Sequence, residues 1–381
     1  MGFFQSKPEF VTDLTDEQVK VGDTITLQCE VNTEGLTVTW KKNAQKLHCD
    51  PEKYIMKQVG KSLTLKVKDV GEEDDGTYTI TVTNSIGTAT SSAKLTVELD
   101  DWRKVEWKQG EMVNTLKAFK ICNDKVKELN LLLCGPIGAG KSSIINTINS
   151  VFEGQISVRY QGCLETYVSQ TMQFHERQVE NGEDGLFPLV LNDTMGLENE
   201  QMNGLHSMDI INALKGHIKD GYKFNPTTPI KENSPHYREN PSLSDRMHCL
   251  VYVIPADKIS MMEDQVFQKL KTIRDAAYEM DPDLPHVILM TRVDVVCSLT
   301  KKNLRYIYKS KIIKDKMLEC QRALGVKMNA IFPVRNYHEE TEINEDVNCL
   351  MLHALTRIVR WADDYVDKYS HKKKTSAKCL T

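Results

Sequence analysis

The residues best suited to chemistry stand together in Gly135-Pro136-Ile137-Gly138-Ala139-Gly140-Lys141-Ser142, a G-x-x-x-x-G-K-[ST] string with Ser143 behind it. These residue types suit the gripping of phosphate. Glycine at 138 and 140 lets consecutive backbone N–H groups turn inward around a β-phosphate, where side chains would obstruct them. A helix opening directly after the loop adds the partial positive charge of its N-terminus. The Lys141 ammonium can then reach β- and γ-oxygens, and the Ser142 hydroxyl can ligate Mg²⁺. Pro136 is tolerated because it precedes the amides that form the cradle.

Such a loop requires a strand before it and a helix after it. The apolar run Leu129 to Cys134 has the length of a buried parallel strand, a helical stretch Met112 to Glu128 leads into it, and Ser143 to Phe152 reads as the following helix. A second apolar run, Leu186 to Asn192, ends in Asp193-Thr194-Met195-Gly196, a D-x-x-G about fifty residues beyond the loop. There Asp193 is expected to hold Mg²⁺ through water and the Gly196 amide to sense a γ-phosphate.

A third run, Val287 to Met290, ends in Thr291-Arg292-Val293-Asp294, which resembles the [NT]-K-x-D element of GTPases. The aspartate of that element accepts hydrogen bonds from guanine N1–H and the 2-amino group. Adenine presents no such donor pair, so Asp294 would select guanine. Arg292 stands where lysine is usual, and its guanidinium can stack on the base. After Ala330 to Pro333, the string Val334-Arg335-Asn336 can offer backbone amides to guanine O6.

The expected ligands are therefore GTP or GDP with Mg²⁺. Expected nucleotide contacts are Gly135, Gly138, Ala139, Gly140, Lys141, Ser142, Ser143, Asp193, Gly196, Thr291, Arg292, Asp294 and Asn336. Metal ligands are expected at Ser142, Asp193 and one threonine between Ser157 and Gln173, where Thr166 is favoured over Thr171.

The chain ahead of this site has a different pattern. From Pro8 to Glu98, short alternating segments are separated by Gly, Asn, Asp and Pro, as in an all-β sandwich. Ile25, Leu27 and Cys29 alternate with polar residues, Val38 and Trp40 follow, then Leu63, Leu65 and Val67. The run Asp74, Gly76, Thr77, Tyr78, with Cys29 and Trp40 at the matching spacing, resembles immunoglobulin domains, specifically intracellular I-set modules. Ile80 stands where the second cysteine of the intersheet bridge would be, so a Cys/Ile pair fills that volume with apolar atoms. Such a module reads equally as a protein-binding domain or as a rigid spacer.

At 381 residues the chain has room for two or three domains. The reading is an N-terminal all-β immunoglobulin-like sandwich (8–98), a linker and leading helix (99–125), an α/β three-layer P-loop NTPase domain with a mainly parallel sheet (126–370), and a basic tail (371–381). A formal net charge of -4 gives no basic footprint for nucleic acid. No apolar run is long enough to span a bilayer, and residues 1–7 lack a secretory pattern, so a cytoplasmic location is expected. The ten cysteines include no C-x-x-C pair and read as reduced thiols. Gly2 beside Phe3 is a poor myristoylation acceptor, and Cys379 misses the C-a-a-X register.

Beyond single motifs, the loop with its flanks resembles the interferon-induced protein 44 and 44-like family. So do Asp101-Trp102-Arg103, Tyr222-Lys223-Phe224-Asn225-Pro226, Pro241-Ser242-Leu243-Ser244-Asp245-Arg246 and Trp361-Ala362-Asp363-Asp364. The resemblance spans about residues 100 to 368 and implies an intracellular, interferon-responsive GTP-binding protein of antiviral innate immunity. The immunoglobulin-like front end departs from that family pattern.

Binding is better supported than turnover. Many small GTPases carry a water-orienting glutamine after D-x-x-G, whereas this chain has Leu197, so slow or absent hydrolysis is expected, a weak GTPase at most. Glu198, the 221–247 loop or an arginine from a second protomer in a nucleotide-dependent homodimer are the remaining devices. Protein partners are expected at the immunoglobulin-like domain and at the 221–247 loop, a long irregular segment downstream of the D-x-x-G. The competing reading is a nonenzymatic scaffold with a structural P-loop. An ATP-using P-loop kinase would need a base-selecting element other than Asp294 and an acceptor pocket, and the sequence shows neither.

Overall fold

The computed structural model describes residues 6–160, 173–180, 185–197, 205–262 and 264–376. The chain falls into two compact units, one up to Trp102 and one from Arg103 onward apart from Lys309–Lys311.

The alternation in the first unit is realised as nine strands in two sheets. One sheet pairs β1 (Phe10–Thr12), β3 (Ile25–Val31), β7 (Ser62–Val67) and β6 (Tyr54–Val59). The other pairs β2 (Glu17–Lys20), β9 (Thr88–Glu98), β8 (Gly76–Thr83), β4 (Thr37–Lys42) and β5 (Gln45–Lys46). Inward positions of both sheets form one core that includes Leu27, Cys29, Trp40, Leu65, Tyr78 and Ile80. Cys29 is a free thiol whose burial pushes its pKa up to about 11, so it stays protonated and packs as a small apolar group. The Tyr78 hydroxyl donates to the Asp74 carbonyl at 3.1 Å, fixing the corner four residues upstream.

The second unit is built on a six-stranded sheet in the order β11-β12-β10-β13-β14-β15. Its strands are β10 (Leu129–Cys134), β11 (His175–Glu180), β12 (Leu186–Asp193), β13 (Cys249–Pro255), β14 (His286–Thr291) and β15 (Ile331–Pro333). All neighbours are parallel except β11, which runs antiparallel to β12. Leu131, Leu132, Leu133, Val251 and Tyr252 are all buried, so both faces of the central strands are covered, as a parallel sheet requires. Helices α2 (Lys141–Glu153) and α8 (Glu345–Ser376) pack together over β10. The chain leaves β10 toward β12 on one side and later continues through β13 on the other. Strand order therefore reverses at β10, and in open α/β sheets ligands bind at the carboxyl end of such a switch point.

Several element boundaries differ from expectation. The expected helix Met112 to Glu128 is α1 (Gln109–Lys117) followed by irregular chain. After Lys117 the chain is tied to α8: the Cys122 backbone N–H donates to Asp363 Oδ1 at 2.8 Å and the Asn123 side chain donates from Nδ2 to the Val366 carbonyl at 2.7 Å. Part of the expected linker also belongs to this unit, since the Arg103 guanidinium donates to the Ile331 carbonyl at 2.7 Å and lies 5.1 Å over the Tyr308 ring. The helix expected over Met208 to Ile218 is α3 (Ser207–Leu214), which stops just before Gly216 at φ 84°. Within the expected basic tail, α8 continues to Ser376. The 221–247 segment is irregular but tethered: Tyr222 and Ile230 are buried, and both bond the Asp209 carboxylate of α3, at 3.1 and 2.7 Å.

Three histidines, His248 buried and His286 and His353 partly buried, tie this unit to pH. His248 accepts from Asn130 N–H at Nδ1 (2.9 Å) and donates from Nε2 to the Leu243 carbonyl (2.9 Å), which fixes a neutral ring. Burial lowers the pKa of His248, His286 and His353 from 6.5 to about 4. Below 6.5 the unfolded chain takes up protons that the folded chain refuses, so stability present above 6.5 is lost as pH falls toward 4. Each ring contributes on the order of 3 kcal/mol at the acid end, partly offset by Asp193 and Asp209, whose burial raises their pKa and acts in the opposite sense. Urea unfolding of the full chain is expected to show a lower midpoint at pH 5 than at pH 7. An unchanged midpoint would contradict the buried neutral state of these rings.

Candidate functional site

Gly135 is the first residue past β10, and a Cβ there would collide with the Val253 carbonyl of β13. The loop thus begins pressed against the neighbouring strand. Gly138 (φ 68°) and Gly140 (φ 93°) both take the left-handed region, the conformations that turn successive amides inward. Helix α2 then opens at Lys141, with the loop at its N-terminus.

The sequence-predicted residues gather around this loop. Lys141 is only 7% exposed, and its ammonium donates to the Gly135 and Pro136 carbonyls at 3.2 and 3.3 Å. Ser142 Oγ donates to Asp193 Oδ2 at 2.9 Å, bringing the end of β12 to the start of α2. Asp193 is 3% exposed and its other oxygen, Oδ1, is buried without a hydrogen-bond partner among the described residues. Burial raises the Asp193 pKa, while Lys141 and the Ser142 hydrogen bond pull it down. A divalent cation beside Ser142 and Asp193 would meet that unsatisfied oxygen. One carboxylate and one hydroxyl suit Mg²⁺, which keeps waters and takes phosphate oxygens rather than a full protein cage.

The loop is braced on three sides. The Thr291 hydroxyl at the end of β14 donates to the Ala139 carbonyl at 2.7 Å, and Asn336 Nδ2 donates to the Gly140 carbonyl at 3.2 Å. On the third side, Leu197 N–H donates to the Gly135 carbonyl at 3.1 Å, and Ile137 N–H donates back to the Leu197 carbonyl at 3.4 Å. This pairing explains Gly196 in packing terms, since a Cβ there would lie 2.5 Å from Ile137 Cγ1. Leu197 is 2% exposed, a staple of the loop. Ser143 occupies the first turn of α2. Thr166, Thr171 and Glu198 lie outside the described residues.

At the expected base-recognition end, Asp294 sits in the first turn after β14 and pairs with Arg335 Nε at 3.4 Å. Arg335 also pairs with Glu340. Arg292 takes a left-handed backbone (φ 59°) and its guanidinium meets Asp257 at 3.3 Å. Amides were expected to be the contribution of Val334-Arg335-Asn336. Of these, the Val334 N–H bonds the Met290 carbonyl (2.8 Å), while the Arg335 side chain pairs with Asp294 and the Asn336 side chain braces the loop.

Comparison of the sequence with known proteins finds relatives of both units. Over 258 residues, 67% of this chain, the sequence is 35% identical to human interferon-induced protein 44, covering 57% of that protein. The larger part of this chain is a homologue of interferon-induced protein 44. Human interferon-induced protein 44-like is 28% identical over 274 residues, 71% of this chain and 60% of its own length. The chain thus spans less than two thirds of the curated relatives it matches. Residues 8–97 match the immunoglobulin I-set domain. Titin domain M7 is 30% identical over 26% of this chain and 99% of that domain, with a TM-score of 0.24.

Within the part homologous to interferon-induced protein 44, motif reading located the loop, Asp193, Thr291 and Asp294. It named Arg335 only for its backbone amide and missed Glu340, Asp257 and Thr147. Thr147, on α2, receives the Tyr337 N–H at 3.2 Å and so fixes the chain beside Asn336. None of these residues stands in a recognisable string, and their roles follow only from how distant strand ends converge.

Proposed function

We propose that the α/β unit binds a guanine nucleotide, GTP or GDP, with Mg²⁺, and that the nucleotide state controls protein partners in an intracellular, cytoplasmic, interferon-induced antiviral response. The observation that carries this reading is the buried Asp193 carboxylate, bonded to Ser142 on one oxygen and unsatisfied on the other among the described residues, beside the Lys141 ammonium and the glycine loop. A carboxylate with a bare buried oxygen is costly unless a cation completes it. When bound, Mg²⁺ would neutralise phosphate charge; Ser142 and Asp193 hold its position, and Lys141 shares the phosphate oxygens. Thr291, Arg292, Asp294 and Asn336 frame the base, with Asp294 choosing guanine. Partners are assigned to the immunoglobulin-like unit and the 221–247 segment.

The test is metal dependence. GTP affinity of the full chain is expected to fall about tenfold or more when Mg²⁺ is replaced by EDTA, and Asp193→Asn is expected to flatten that difference. A wild type that binds GTP equally with and without Mg²⁺ would count against the assignment of Asp193.

Hydrolysis is slow or absent in this reading, because the position after Gly196 is a buried leucine whose backbone pins the loop. An arginine from a second copy in a nucleotide-dependent homodimer would be the device that raises it. Turnover of many per second by the monomer would contradict this. The Arg335–Asp294 pair favours a second reading, in which the base end is permanently closed by an ion pair and the chain is a nonenzymatic scaffold.

A further inference from the structure

Lys258 has no place in any motif, yet its ammonium overhangs the glycine loop. A Cβ built on Gly138 would lie 3.9 Å from Lys258 Nζ. The placement follows from the fold. Gly135 presses the loop against Val253, so the turn leaving β13 runs alongside the loop. That turn is fixed by Ala256 N–H to the Thr291 carbonyl (2.9 Å) and Lys258 N–H to the Pro255 carbonyl (3.1 Å). The neighbouring acid, Asp257, is committed to Arg292 at 3.3 Å, and Lys258 makes no ion pair among the described residues. Lys258 is exposed, whereas Lys141 is buried at the base of the same loop. The two cations reach the loop from different elements, Lys141 from the start of α2 and Lys258 from the turn after β13.

We propose that Lys258 is a second phosphate-binding cation of this site, reaching the polyphosphate chain over Gly138 while Lys141 holds it from within. This rests on the nucleotide reading above. A solvated lysine on a strand-end turn usually contributes only to solubility. Here the ammonium stands beside Gly138 in the loop that opens α2, and its nearest carboxylate neighbour in sequence, Asp257, is paired with Arg292 through one of its oxygens. Its contribution should scale with ligand charge, greatest for a triphosphate, and be weakened by salt because the group is exposed.

The experiment titrates fluorescent GTP and GDP, with Mg²⁺, into full-length wild type, Lys258→Gln and Lys258→Arg at about 50 and 300 mM salt. Lys258→Gln is expected to weaken GTP binding about tenfold at low salt, to weaken GDP binding less, and to reduce the salt dependence of both; Lys258→Arg is expected to restore most of the affinity. Unliganded melting temperature should stay unchanged in both variants, which separates a phosphate contact from a structural one. Wild-type-like GTP affinity of Lys258→Gln at both salts, or equal losses for GTP and GDP, overturns this proposal and leaves the nucleotide reading standing. A wild type that binds neither nucleotide overturns both.

Discussion

Lys141→Ala is expected to weaken GTP and GDP binding by at least about a hundredfold while leaving the chain folded. The ammonium is buried at the mouth of α2, among backbone carbonyls that it already bonds at 3.2 and 3.3 Å. Against phosphate it would trade neutral acceptors for anionic ones, and a charge-assisted hydrogen bond to a charged group contributes about 1.5–3 kcal/mol. Two such bonds make the hundredfold. Alanine keeps the helix start, because it is the best helix former and the loop is still braced by Thr291, Asn336 and Leu197. Labelled-nucleotide titration together with circular dichroism checks both halves. An alanine variant that binds within a few-fold of wild type would show that the loop is not the phosphate site.

The second large effect concerns the choice of base. Asp294→Asn is expected to lower GTP affinity by about a hundredfold or more and to raise relative affinity for xanthosine triphosphate. The carboxylate accepts two hydrogen bonds from guanine, whereas an amide presents one acceptor and one donor. That arrangement suits xanthine, which carries a carbonyl where guanine has its amino group. The exchange is feasible because Arg335 retains Glu340 when the Asp294 carboxylate turns to the base. Competition of labelled GTP by unlabelled GTP, ATP and xanthosine triphosphate reads the ratio directly. An unchanged preference in the variant would assign base recognition elsewhere.

Much of this site was legible in the sequence because its parts are local. A strand, a glycine loop and a helix are contiguous, so Gly138, Gly140 and Lys141 could be read together. Asp193, Thr291 and Asp294 each end an apolar run, and parallel strands bring such ends to one edge. The fold was legible for a similar reason: period-two alternation marks the sandwich, and continuous apolar runs mark strands buried on both faces.

What the sequence hid depends on distance along the chain. Residues after Lys117 leave the helix because Asp363 and Val366, more than two hundred residues later, supply their hydrogen bonds. The Asp294–Arg335 and Arg292–Asp257 pairs join strand ends whose adjacency only sheet order reveals. Gly196 was read for its amide alone, and the close approach of Ile137 was invisible. Lys258 was likewise unremarkable until β13 was seen to lie against the loop.

The proposed function requires that this loop and Asp294 together hold a guanine nucleotide. Calorimetric titration of the purified full chain with GTP, GDP and ATP, in Mg²⁺, tests it most directly. The expected result is saturable binding of both guanine nucleotides near one per chain with ATP at least about a hundredfold weaker. Folded protein that takes up none of the three, or takes ATP as readily as GTP, would contradict it.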